Sequence, residues 1–296
     1  MTNPYYNHGS APAFFSFGSS LLIRTEFDNI AAGFSSVSTD ISSIKSGFSY
    51  RNWIANSVGI NNYLTVISAD EVILKNSAGQ VHVENNVSMT VDANGTVGSP
   101  LSIMSSRVSA TLYYIWLWYN STLGITGTLD ISSSSPTPPT GYISTDYKSR
   151  MPGPRQTGFP NSYLLQQKTS GNNTIFPVLA GSNIAYPLLI GAGVLGDVNT
   201  PTWSGIGLGY CPPTASHILG YLSSGNTSGP ILAMLAPSNQ YGGILSGSCP
   251  PPCSMVVPSG SGGQSSPFRF MIEGSDIYIA SSAWVFVYQT GYEENI

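Results

Sequence analysis

Residues Leu112 to Tyr119 read Leu-Tyr-Tyr-Ile-Trp-Leu-Trp-Tyr, with no charge and no glycine in the run. The run is far too short to span a membrane, and its aromatic content favours a strand. At a period of two it presents Leu112, Tyr114, Trp116 and Trp118 on one face and Tyr113, Ile115, Leu117 and Tyr119 on the other. Both faces are apolar. Such a strand belongs in the middle of a sheet covered on both sides, either by a second layer of the chain or by another subunit.

The flanking sequence supplies the rest of a β domain. Tyr63 to Ile67, Glu71 to Lys75, Gln80 to Glu84 and Val87 to Asp92 alternate as short strands of a meander, with Ser-Ala-Gly and Asn-Gly pieces as turns. After the aromatic strand come a turn at Asn120 to Gly124, a partner strand at Ile125 to Ile131 and a stiff crossing loop from Pro136 to Tyr142. Beyond Arg155 the candidates are Ser162 to Lys168, Ile175 to Ala180, His217 to Leu222, Ile231 to Leu235, Phe268 to Glu273, Ile277 to Ala280 and Trp284 to Gln289. Glu273 to Asp276 reads as the turn of a closing hairpin, and 191–214 and 246–267 read as long Gly/Pro/Ser loops. No repeat of fixed length runs through the chain, which argues against a β-helix. The expected fold is mainly β: a large antiparallel β-sandwich-like domain over 59–296, with a subdivision near 155 left open, preceded by a linker at 51–58.

Ahead of this domain the period changes. Ile23, Phe27, Ile30, Phe34, Val37, Ile41, Ile44 and Phe48 recur at alternating spacings of four and three, the register of a coiled-coil seam. The bulky and β-branched mixture leans towards three or more strands, so a homotrimer is the expected self-association. Gly33 and the Ser-rich run from Ser35 to Ser43 weaken the helix after Phe34. Residues 21–50 are therefore expected to form a helix and a neck. Residues 1–20 have no helical or alternating period, and read as an extended arm whose aromatics, Tyr5, Tyr6, Phe14, Phe15 and Phe17, need a protein surface to bury against.

Two stretches carry a family resemblance. Tyr5-Tyr6-Asn7-His8-Gly9-Ser10, Gly18-Ser19-Ser20 and Arg24-Thr25-Glu26-Phe27-Asp28-Asn29-Ile30-Ala31-Ala32-Gly33-Phe34 resemble the N-terminal segment of tailed-bacteriophage tail fibre and virion appendage proteins. The order of aromatic strand, Asn-x-x-x-Gly turn and Pro-rich loop closed by Gly141-Tyr142 resembles a C-terminal module of phage tail proteins, with Pro138 where that module usually has leucine. The resemblance implies a virion structural protein, assembled in the bacterial cytoplasm. It would be anchored through Tyr5, Tyr6, His8, Phe14, Phe15 and Phe17 to other proteins of the tail, baseplate or head. Its β domain would serve host attachment or further fibre assembly. A glycan-binding or glycan-cleaving receptor module, and a capsid or baseplate decoration protein, are the alternative readings.

Charge and motif content narrow the chemistry. Only 8% of residues are charged and the ten Lys and Arg are scattered singly, so no basic patch points to nucleic acid. Met1 to Ser20 lacks the pattern of a secretory signal, so the Asn94 and Asn120 sequons are read as turn sequence. Cys211, Cys249 and Cys253 match no usual zinc spacing, even with His217 added, and a disulfide among them is left open. Gly191-Ala192-Gly193-Val194-Leu195-Gly196 fits the dinucleotide fingerprint in letters, but no helical period follows and no acid stands between Asp197 and Glu273. No Gly-x-Ser-x-Gly elbow occurs, and His8, His82 and His217 stand in unrelated contexts. Asp70-Glu71 and Glu293-Glu294 read as solvated turn and tail residues rather than a glycosidase pair. Trp203 and Trp284 would stack on sugars if exposed, though aromatics in such folds are more often core or interface. The expectation is a non-enzymatic protein with no cofactor and no metal.

Overall fold

A computed structural model describes residues 25, 27–34, 49–57, 59, 63–157, 163–177, 188–198, 202–224, 230–241, 251–258 and 263–295. The chain divides into two compact units, Met1–Ser49 and Tyr50–Ile296. In the first, a short helix covers 27–34. The second is built from antiparallel β-strands, which make up 57% of the structure.

Its first half contains β1 (Tyr50–Arg51), β2 (Ile54–Ser57), β3 (Leu64–Lys75), β4 (Val81–Asp92), β5 (Leu112–Asn120), β6 (Gly124–Asp130), β7 (Tyr147–Gln156), β8 (Gln167–Ser170) and β9 (Asn173–Ile175). The second half contains β10 (Leu188–Gly193), β11 (Ser204–Gly207), β12 (Ala215–Ser224), β13 (Ile231–Ala236), β14 (Cys253–Val257), β15 (Ser265–Met271), β16 (Asp276–Ser281) and β17 (Val285–Glu294). A 13-stranded sheet follows the order β15-β12-β17-β9-β8-β2-β3-β7-β5-β6, with β1 and β4 also on β3 and β10 also on β17. A 4-stranded sheet, β11-β16-β13-β14, completes the fold.

The aromatic strand behaves as its pattern requires. β5 pairs with β6 and β7, burying Tyr113, Ile115 and Leu117 in one core and Tyr114, Trp116 and Trp118 against Tyr142 on the other face. The core on the first face gathers Trp53, Ile67, Val72, Leu74, Val91 and Leu129. A second core lies between the two sheets: Ile218, Leu222, Phe268, Phe270, Val285 and Val287 of the large sheet meet Ile231, Leu235, Val257, Ile277 and Ile279 of the small one. This is sandwich packing by alternating inward residues.

One cross-strand row joins the two cores. Met89, Ile67, Ala55, Thr169, Thr174, Tyr292, Ile218 and Phe270 lie opposite one another along β4, β3, β2, β8, β9, β17, β12 and β15. The ends of the row are apolar and its centre is polar. Arg155, fully buried, lies against that centre.

Several expectations are corrected. Residues 51–57 are not a linker: they hold β2, and Trp53 and Ala55 are core residues. The four short strands before residue 92 are two long ones, β3 and β4, paired along their lengths. They run past Asp70 and Asn86, where Asn86 takes a left-handed φ of 55°. The Glu273 to Asp276 segment closes no hairpin, because it carries the chain from β15 in the large sheet to β16 in the small one. The two stretches read as loops contain β11 and β14. β9 stops at Ile175, and the strand read from Ser162 begins only at Gln167. The fingerprint-like glycines sit in and just after strand β10, whose Gly191 packs so closely on Ile206 that a Cβ would lie 2.6 Å from its Cδ1.

Candidate functional site

A buried group of polar and titratable side chains lies where the two cores meet, and it originates in the backbone of β7. Pro152-Gly153-Pro154 interrupts the β5–β7 register between Tyr113 and Ile115. Two prolines remove ladder donors, so the bulge leaves backbone groups that side chains must satisfy. Trp53 Nε1 donates to the Pro152 carbonyl at 3.2 Å, and Tyr292 Oη and Gln167 Nε2 donate to the Pro154 carbonyl at 3.1 and 3.3 Å. Gly153, at φ 79°, turns its N–H onto Glu294 Oε2 at 2.5 Å.

Glu294 is 1% exposed. Its other oxygen, Oε1, accepts from Thr214 Oγ1 at 2.5 Å. Burial pushes its carboxyl above the usual range, opposed by the Thr214 and Gly153 hydrogen bonds and by the charges of Arg150 and Arg155. Arg155 donates through Nη2 to the Ala55 carbonyl at 3.2 Å and to Thr169 Oγ1 at 2.6 Å, and through Nη1 to the Gln167 carbonyl at 3.3 Å. Burial lowers its guanidinium to about 10, so it keeps its charge at neutral pH. Tyr292, wholly buried, is raised first by burial and then by Glu294.

Glycoside hydrolysis needs a second carboxyl flanking the scissile bond, and the neighbouring Glu293 alternates to the opposite face of β17. Glu293 is held by a two-pronged Arg269 contact, Nε to Oε1 at 2.7 Å and Nη2 to Oε2 at 2.6 Å. The expectation of Glu293 and Glu294 as solvated tail residues is therefore overturned: one is ion-paired and the other buried. Their partners come from residues far away in the chain, so the Glu-Glu dipeptide alone carries no sign of it.

A second cluster imitates a hydrolytic triad. Ser216 Oγ lies 3.1 Å from His217 Nδ1, and Glu293 Oε2 lies 3.5 Å from the same nitrogen. A relay needs the acid on one ring nitrogen and the hydroxyl on the other. With both on Nδ1, the imidazole has nothing to pass a proton between.

The other predicted residues fall as follows. Tyr5, Tyr6, His8, Phe14, Phe15 and Phe17 lie outside the described residues, as do Ile23, Val37, Ile41, Ile44 and Phe48 of the seam. Phe27 and Phe34 are 65% and 72% exposed on the helix, with the half-buried Ile30 between them. Trp284 is 57% exposed, whereas Trp203 donates to the Tyr241 carbonyl at 3.2 Å. Asn120 caps the β5–β6 turn, its Oδ1 accepting from Thr122 N and Leu123 N at 3.0 and 2.7 Å. Cys211 and Cys253 are free thiols, and Cys249 lies outside the described residues. Among the described residues no three His, Cys, Asp or Glu side chains converge as a metal site.

No protein-family model, curated protein or solved structure matches the chain.

Proposed function

We propose that this chain is a structural subunit of a tailed-phage fibre or appendage. It self-associates as a homotrimer through the heptad seam, anchors through its N-terminal arm and presents the β domain to host or fibre partners. The observation that carries the reading is the exposure of Phe27 and Phe34 on one helix, in register with Ile30. Two phenyl groups on a helix surface gain about 1.5–3 kcal/mol each when fully buried against a partner, and the sequence continues the same register to Phe48. The resemblance of residues 5–34 and about 60–155 to phage appendage proteins supplies the setting. The β domain supports a mechanical role, since its strongest polar cluster is enclosed and holds strands together.

Solution mass of the wild type and of Ile30→Asp tests the assembly: a trimer that falls to a monomer on substitution is expected, and a monomeric wild type overturns it. A label at the C-terminus, imaged on phage particles, tests the setting; a label that decorates no particle overturns the virion assignment.

A second reading, glycan binding, is favoured by the exposure of Trp284 immediately before β17. Incubation with bacterial surface polysaccharide tests it: binding that is lost in Trp284→Ala supports it, and absence of both binding and oligosaccharide release removes it.

A further inference from the structure

We propose that Thr214 and Glu294 condense into an intramolecular ester that covalently ties the C-terminal strand to the segment entering β12. The geometry assigns each atom a task. Thr214 Oγ1 lies 2.5 Å from Glu294 Oε1 and donates its proton to that oxygen, so the nucleophile is already hydrogen-bonded to the oxygen that must leave. The Gly153 N–H lies 2.5 Å from Oε2, where negative charge develops as the carbonyl carbon becomes tetrahedral, and Arg150 and Arg155 add positive charge nearby.

The step balances without a co-reactant. Thr214 Oγ1 bonds to Glu294 Cδ, the Cδ–Oε1 bond breaks, and Oε1 leaves as water with the carboxyl proton and the hydroxyl proton. Burial favours the neutral acid, the form that accepts a nucleophile, over the carboxylate. Held in contact, the two groups react with an effective molarity that reaches about 10⁵–10⁸ M in well-oriented systems. A carboxyl group that is 1% exposed also shields the product from hydrolysis. Thr214 directly precedes Ala215, which pairs with Glu294 in the sheet, so the two side chains meet although they lie 80 positions apart in sequence. The link would close that whole segment covalently. It does not depend on the virion assignment.

The test is the mass of the purified full-length chain under denaturing conditions, followed by peptide mapping. The expected result is a mass one water below that of the sequence, a single branched peptide joining the segments that carry Thr214 and Glu294, and its release by hydroxylamine. Thr214→Ser keeps the loss of water and Thr214→Val abolishes it. If Thr214→Val does not fold, the wild-type map and Thr214→Ser decide alone. A wild-type mass equal to that of the sequence, or a water loss that maps elsewhere, overturns the proposal.

Discussion

Arg155 Nη2 donates to Thr169 Oγ1 at 2.6 Å, and Thr169 Oγ1 in turn contacts Thr174 Oγ1 at 3.0 Å, at the centre of a row whose two ends lie in separate apolar cores. A sheet this wide could have been filled with aliphatic side chains throughout. The prolines of the β7 bulge prevent that, because the carbonyls of Pro152 and Pro154 need donors, which Trp53, Gln167 and Tyr292 supply. The polar centre follows from the backbone, and the guanidinium serves three acceptors at once.

Replacing Arg155 removes those donors. Arg155→Ala also opens a cavity, and a loss of about 3–5 kcal/mol in unfolding free energy is expected. Arg155→Met fills most of the volume but withdraws the same three hydrogen bonds, for a loss of about 2 kcal/mol. Urea denaturation of the β domain's near-ultraviolet signal measures both. Equal losses would mean that hydrogen bonding, not volume, sets the cost.

Glu293 and Glu294 should titrate in opposite directions from the 4.5 of a free glutamate. The experiment belongs in the Thr214→Val chain, where Glu294 is a free acid. The Arg269 hydrogen bonds hold Glu293 low, so its contribution to stability is present above 4.5 and is lost as pH falls through the lowered value. Burial raises Glu294, so its contribution is present below 4.5 and is lost as pH rises through the raised value. Side-chain carboxyl NMR should show one resonance moving below 4.5 and the other above it. Glu294→Gln should flatten the high-pH limb of stability and leave the low-pH limb in place.

Cys211 and Cys253 should be inert in the folded protein. Burial pushes Cys211 up to about 12, with the Gln289 Nε2 contact at 3.2 Å working against the rise, and burial also raises Cys253. At pH 8 a thiol-specific reagent should label neither residue in native buffer and both in guanidinium, as read by peptide mass. Rapid labelling of Cys211 in the native state would contradict the burial found for it.

The legibility of this chain follows the range of the interactions involved. β5 was readable because a strand apolar on both faces has only one kind of home. The alternation also located β12, β13, β16 and β17 to within a few residues. β7 was hidden because Pro152 and Pro154 argue against a central strand, and only the side-chain donors from Trp53, Gln167 and Tyr292 make the bulge tenable. β3 and β4 read as two strands each because Asp70 and Asn86 look like breaks. The structure instead lets the ladder continue on both sides of them, with Asn52 Nδ2 donating to Asp70 Oδ2 at 2.6 Å. The buried Glu294 could not be read at all, since Gly153 lies 141 positions away and Thr214 lies 80. A signal was nevertheless present: Arg155 follows Pro-Gly-Pro immediately, and a charged residue beside a rigid bulge invites the question of what it serves.

Gly153 offers the sharpest separation of backbone strain from crowding. Gly79, at φ 78°, has nothing within 4 Å of the place a Cβ would take, so Gly79→Ala should cost only the left-handed penalty of about 1 kcal/mol. Gly153, at φ 79°, carries the same backbone penalty, but its Cβ would lie 2.1 Å from Thr169 Oγ1 and 2.8 Å from Arg155 Nη2. Neither neighbour can yield without breaking the Arg155–Thr169 hydrogen bond, so Gly153→Ala should cost well over about 3 kcal/mol, the scale of an overpacked core with a broken buried network. Thr169→Ala in the same chain removes the nearer clash, and the double variant should be more stable than the sum of the two single losses predicts. Additive losses would place the damage in the backbone of the bulge itself rather than in its contact with Thr169.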